Sequence, residues 1–239
     1  MNDILSAGFR LYGKIFGVII GLVLTIGLPC QVLSSYVAYE VFGRKNFVPA
    51  LQTGAFIELV FGVVLTGGIL QALFVDRLGR KASYLECLSV GVSHWFQLCW
   101  TNFLMSCLIA MVSILFFLPI GTWHLRVIFL LPAIFLAIRL SLATTVVISE
   151  GEWGTAALKR SFKLTADKSW KVLGLCLFLY LPLQIVGMIG VGMLQTNPQL
   201  DTWQITAAFG TLIKLISCII PICFFCLYEK IIGEDRPED

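Results

Sequence analysis

Residues 157–194 read ALKRSFKLTADKSWKVLGLCLFLYLPLQIVGMIGVGML, a basic segment followed by 23 residues, 172–194, that carry no charge. A helix needs about 20 apolar residues to cross ~30 Å of hydrocarbon. Working outward, five more stretches of this kind, 15–37, 54–75, 97–119, 125–148 and 205–228, join 171–194 to predict six spans. The basic flank orients them. Lys159, Arg160, Lys163, Lys168 and Lys171 lie between spans four and five, and Arg77, Arg80 and Lys81 between spans two and three. Arg10 and Lys14 precede span one, while Lys230 and Arg236 follow span six. These are twelve of the 17 Lys and Arg; the opposite side holds only Arg44, Lys45 and Arg126, and Arg139 and Lys214 fall inside spans. Cytoplasmic segments are the ones enriched in Lys and Arg, so both termini are expected in the cytoplasm.

The composition fits a chain whose solvent is mostly lipid. It is 58% hydrophobic and 13% charged, with a mean hydropathy of +0.91. A soluble domain keeps about a quarter of its residues charged. The net charge of +3 comes from the cytoplasmic segments, which reads as topology control and headgroup attraction rather than a nucleic-acid footprint. The first apolar run continues past Gly27, Pro29 and Cys30 to Val37, too long for the core of a cleaved signal peptide. Seven of the eight cysteines fall in spans and Cys87 on the cytoplasmic side, so no disulfide is expected. Cys223 and Cys226 have C-x-x-C spacing, but at lipid depth they read as small packing residues.

A spaced similarity runs through the cytoplasmic segments. Leu5-Ser-Ala-Gly8 leads to Phe16, Leu88-Ser-Val-Gly91 to Trp95, and Leu158-Lys-Arg-Ser161 to Trp170. Leucine and the small residue sit one helical turn apart, on one face. Each segment precedes an odd-numbered span, which predicts three parallel repeats, 1–75, 76–148 and 149–228, each an elbow helix plus a hairpin, with a tail at 229–239. Ser83 and Glu86 have the spacing of a capping box for the second elbow, followed by an apolar stripe of Leu85, Leu88 and Val92. In the third elbow Ala157, Leu158, Ser161, Phe162 and Leu164 form the apolar face, while Lys159, Arg160 and Lys163 point to headgroups. Asp167 or Ser169 is placed to cap span five. Pro29, Pro119, Pro132, Pro182 and Pro221 predict kinks, and Gly17, Gly21, Gly187, Gly190 and Gly192 predict close helix contacts.

The chain lacks a phosphate-binding loop, a zinc-protease motif and a serine nucleophile elbow. His94 and His124, expected at opposite membrane faces, cannot share a metal. No cofactor and no enzymatic chemistry are expected. The sharp local feature is charge at depth: Arg139 near the middle of span four, Lys214 near the middle of span six, and Glu58 just inside span two. Each costs about 2.5 kcal/mol or more in lipid unless paired or wetted. Two readings stay open, an anion- or headgroup-binding cavity and a structural ion pair beside a snorkelling lysine. Asn102, Gln71 and Gln184 add interior polarity.

One stretch is more specific. Ile148-Ser-Glu150-Gly151-Glu-Trp-Gly154-Thr-Ala156-Ala-Leu158-Lys-Arg160-Ser161-Phe162-Lys-Leu164-Thr165, with Trp170-Lys-Val-Leu-Gly174, resembles bacterial multi-pass proteins. These are the membrane domain of glycerophosphoryl diester phosphodiesterase and the related YciC-like inner-membrane proteins. The Ser83-Tyr84-x-Glu86 elbow and the Tyr228-Glu229 pair also match the pattern. The resemblance implies a bacterial inner-membrane location and the membrane unit without the phosphodiesterase barrel, so the activity in that family's name does not carry over. The sequence thus leads to an all-α, six-span protein with both termini inside, acting as a non-catalytic envelope scaffold or regulator. Its expected partners are membrane lipids, another membrane protein or a second copy of itself, and not nucleic acid. The rival is a small transporter or channel whose path passes Arg139 and Lys214.

Overall fold

Hydrocarbon offers no hydrogen bonds to the backbone, so an apolar chain crossing it closes its hydrogen bonds within each segment and becomes helical. In the computed structural model, which describes residues 2–42, 47–117, 130–196 and 202–235, every regular element is a helix. Six helical stretches are long and apolar enough to cross a membrane: Phe16–Val41, Gln52–Arg77, Trp95–Ile114, Leu131–Glu150, Ser169–Leu194 and Trp203–Glu234. They match the six expected spans, most of them extended by a few residues. Between the first two expected spans, helix continues to Val41 and resumes at Phe47. Arg44, Lys45, Pro119, His124, Arg126 and Arg236, on which parts of the sequence reading rest, lie outside the described residues.

The spans form two layers. In the most apolar stretches of spans two, four and six, 61, 44 and 39% of residues are buried, against 28, 11 and 17% for spans one, three and five. The even-numbered spans are therefore the inner ones. One cluster of buried side chains, including Leu142, Val146, Leu175 and Leu227, joins spans four, five and six. A second, including Ile19, Leu22, Leu65, Ile69 and Ile222, joins spans one, two and six. Span six belongs to both, and so does span two, whose Val63 and Val64 join the first cluster. Between lipid-solvated helices this packing, rather than water exclusion, holds the bundle together.

Three short helices, Asn2–Lys14, Tyr84–Ser93 and Thr155–Leu164, precede the odd spans. Each lies against an even span. A Cβ on Gly8 of the first would meet Cys223 of span six within 2.6 Å. A Cβ on Gly91 of the second would lie 2.6 Å from the Val64 carbonyl oxygen and 3.2 Å from the Gly68 nitrogen of span two. In the third, the Ser161 and Thr165 hydroxyls donate to the Arg139 carbonyl of span four at 2.9 and 3.1 Å. The small residue of each Leu-x-x-small segment thus sits at a tight contact.

The second elbow corrects its expected face. Leu85 and Val92 are 70 and 57% exposed, and the buried stripe is Cys87 and Gly91, with Leu88 partly covered. The reason is on the partner helix. Gly67 and Gly68 present bare backbone, and only a face of small residues can approach it that closely. The capping box is not made either. Ser83 has the extended backbone of an N-cap, but its side chain caps nothing, and Glu86 pairs with Arg80 at 3.7 Å. Ser169 opens span five as its first helical residue, and its hydroxyl donates back to the Thr165 carbonyl at 2.9 Å.

The third elbow follows most of its expectation: Ala157, Leu158, Ser161 and Leu164 are buried and Lys159 and Lys163 exposed, but Phe162 is 43% exposed and Arg160 turns to Glu150. Its entry turn explains the Gly151 and Gly154 of the quoted motif. Gly151 ends span four at φ +72°, the left-handed cap that glycine adopts without strain. Gly154, at φ +61°, donates its N–H to the Thr101 hydroxyl of span three at 2.8 Å. Trp170 is 83% exposed at the start of span five.

Ion pairs tie one end of the bundle together. Lys14 reaches Asp76 at 2.6 Å, Arg77 pairs with Glu229, and Lys168 reaches Glu234 at 2.6 Å. Arg160 donates to Glu150 at 2.9 Å, and the Tyr228 hydroxyl donates to the same carboxylate at 2.8 Å. The hydrogen bond to Glu150 raises the pKa of Arg160 above its ordinary value.

Candidate functional site

Span four breaks at 141–142 and span one has a π-helical turn at Val37–Val41, and three further irregularities, in spans one, two and six, lie near one place. Span one contains a π-helical turn at Val23–Gly27, span two another at Glu58–Gly62, and span six is interrupted at Cys218. The two π turns pack against each other, and the first also packs against the Trp203–Ser217 helix. Two of these irregularities have a local cause. Pro29 and Pro221 would drive their rings into the carbonyls four residues back, Thr25 and Ser217, and a widened or broken turn relieves the clash. Pro182, by contrast, sits inside the continuous helix Ser169–Thr196. The turn at 58–62 contains no proline. Such bulges concentrate at functional sites, and irregular backbone at membrane depth persists where it lines a cavity.

The charges predicted at depth meet here in part. The Lys214 ammonium donates to the Glu58 carboxylate, linking spans six and two. Glu58 opens the π turn, and a Cβ on Gly62 would occupy the space that its carboxylate fills. The Lys214 carbonyl accepts hydrogen bonds from Ser217 at 2.8 Å and Cys218 at 3.2 Å, where the helix breaks. The lysine and glutamate side chains keep 20 and 40% exposure, so the pair is only partly enclosed.

What it faces is a cavity of about 1050 Å³ bounded by spans one, two, five and six. That is just above the range of about 300–1,000 Å³ for small-molecule sites. Most of its lining is apolar, with the ion pair, Gln31, Thr66, Gln184, Thr206 and Ser217 as the polar contribution. Gly187 and Gly192 of span five leave open space where a Cβ would stand. Gly190 instead makes room for the Phe209 ring, which brings spans five and six into contact. Gly21 similarly receives the Tyr84 ring, while Gly17 meets nothing within 4 Å. Glu58 and Thr66 also border a second cavity of about 500 Å³, lined by Asn102 and Ser106 of span three.

Arg139 stands apart from the pair and does not line either cavity. Its guanidinium lies 4.9 Å from the ring centroids of both Phe135 and Phe162, and donates to the Phe162 carbonyl at 3.5 Å. Its own carbonyl holds Ser161 and Thr165. Two aromatic faces stabilise the cation in place of a carboxylate, and the residue serves as the docking post of the third elbow. The grouping of Glu58, Arg139 and Lys214 in one site therefore reduces to Glu58 and Lys214. Phe135, one helical turn before Arg139, was the available signal. Gln31, Thr206 and the π turn at 58–62 carried none that spacing alone could expose. Among the described residues, no group of three His, Cys, Asp or Glu gathers to hold a metal.

Comparison with known proteins gives one relative of note. A UPF0259 membrane protein of Pectobacterium carotovorum (strain PC1) is 29% identical over 175 residues. The alignment covers 73% of this chain and 63% of the relative, so the chain spans less than two thirds of that protein's length. No family model matches the chain, and no solved structure does. Six apolar helices and a bacterial membrane-protein relative agree on the class: this is a multi-pass integral membrane protein.

Proposed function

We propose that the protein is a non-catalytic inner-membrane protein that binds a membrane amphiphile between spans one, two, five and six, in the manner of an envelope scaffold or regulator. The observation that carries this is the Glu58–Lys214 pair standing on the wall of a large, mostly apolar cavity. A charged pole beside apolar walls suits a molecule with a polar head and an apolar body. A path past both cations is not favoured, because Arg139 lies outside the cavity. Native mass spectrometry after gentle extraction tests the reading. Wild type should retain bound lipid, whereas Gly187→Trp, placed where a Cβ meets open space, should lose it while keeping its unfolding temperature. Equal retention in both proteins would put the lipid somewhere else.

The same proposal includes the orientation and the repeats. Twelve Lys and Arg on one side support cytoplasmic termini. Reporter fusions after Lys171 and Asp239 should both report cytoplasm and one at Pro198 the exterior; a tail found outside would overturn the orientation. The repeats 1–75, 76–148 and 149–228 draw support from the elbows. The elbow of each later repeat packs on the even span of the repeat before it, and the first packs on span six, which would close the three units into a ring.

A further inference from the structure

Resting on the proposed binding of an amphiphile, we infer that the cavity selects a zwitterionic phospholipid with a primary ammonium in its headgroup, its ammonium on Glu58 and its phosphate on Lys214. The site carries one charge of each sign, already facing each other across spans two and six. An anionic headgroup pairing with Lys214 would bring its phosphate beside the Glu58 carboxylate. Like charges then share a poorly solvated site with a net negative balance. A zwitterion exchanges the internal pair for two new pairs and leaves the total at zero.

The ammonium type follows from the lining. A quaternary ammonium has no N–H to donate and is held by aromatic cages. Tyr180 and Phe209 are the aromatic residues on this wall, and Phe209 is already packed on Gly190. A primary ammonium instead donates three hydrogen bonds. The carboxylate of Glu58, the Gln31 and Gln184 amides and the Thr66 hydroxyl supply acceptors around the cavity. Gln31 is admitted because Gly210 has no side chain: a Cβ there would lie 2.5 Å from the Gln31 amide oxygen.

Lateral access makes a lipid, rather than a small soluble zwitterion, the occupant. Met188 and Val191 line the cavity yet are 75 and 41% exposed, so it opens along span five onto an apolar face that includes Ile185 and Ile189. Acyl chains can remain on that face while the headgroup reaches the ion pair.

The test is lipid competition. The protein is delipidated and reconstituted with equal amounts of phosphatidylethanolamine, phosphatidylcholine and phosphatidylglycerol of identical chains, and the bound lipid is weighed by native mass spectrometry. Phosphatidylethanolamine should be retained about fivefold or more over each of the other two lipids, an affinity difference of about 1 kcal/mol. Glu58→Gln together with Lys214→Met, which removes both charges at once, should still bind lipid but at the bulk ratio. Enrichment of phosphatidylglycerol, or equal enrichment of phosphatidylcholine, would overturn the headgroup assignment and leave the amphiphile reading standing. Unaltered selectivity in the double variant would move the selection away from this pair. Wild type that binds none of the three would overturn the amphiphile reading itself.

Discussion

Glu58→Gln is expected to destabilise the protein more than Glu58→Gln combined with Lys214→Met. The single change leaves the Lys214 ammonium at membrane depth facing a neutral amide, although the two groups are now joined in an ion pair. Removing one partner of a buried pair costs about 3–5 kcal/mol, and the partial exposure of this one to the cavity places it near 3 kcal/mol. Replacing both charges removes the uncompensated cation together with its partner, so stability should return toward wild type. Denaturant unfolding in detergent across the four proteins of a double-mutant cycle measures the coupling. Purely additive effects would mean that the two side chains do not stabilise each other. Arg139→Met serves as a comparison: it should show no coupling to Glu58, because its cation rests between Phe135 and Phe162.

The second large effect is expected at Gly91. A Cβ at this position would press against the Val64 carbonyl oxygen and the Gly68 nitrogen, both backbone atoms that cannot swing aside. Gly91→Val should therefore push the second elbow off span two, with a cost of about 3 kcal/mol, the upper end for overpacking. Gly13→Ala is the control. Gly13 lies in the first elbow helix, where an added Cβ meets nothing within 4 Å. That change should be neutral or stabilising by roughly 0.5–1 kcal/mol, since alanine is the better helix former. Equal tolerance at both positions in a thermal-unfolding assay would show that the elbow is not docked as described.

These two experiments probe features that differ in how far the sequence exposes them. The elbows were visible as Leu5 to Gly8, Leu88 to Gly91 and Leu158 to Ser161, because a helical turn places those residues on one face whatever the rest of the chain does. Which face then docks was visible for the third elbow and not for the second. The third has a polar side, with Lys159 and Lys163, that leaves one choice. The second is apolar around most of its circumference, so the face was chosen by Gly67 and Gly68 on the neighbouring helix. No pattern within residues 84–93 contains that information.

By itself, the sequence determined the number of spans. Each helix must satisfy its own backbone in lipid, so length and apolar content, both local properties, are sufficient. The presence of charges at depth was equally legible, since a residue's place along its span sets its depth. Their pairing was decided by the tertiary structure alone. Glu58 and Lys214 are 156 residues apart and meet because spans two and six turn these side chains toward one cavity. Arg139 was turned instead toward Phe162 of the third elbow. Hydropathy fixes how deep a side chain lies, but rotation about the helix axis decides what it touches, and that rotation is set by the neighbouring helices.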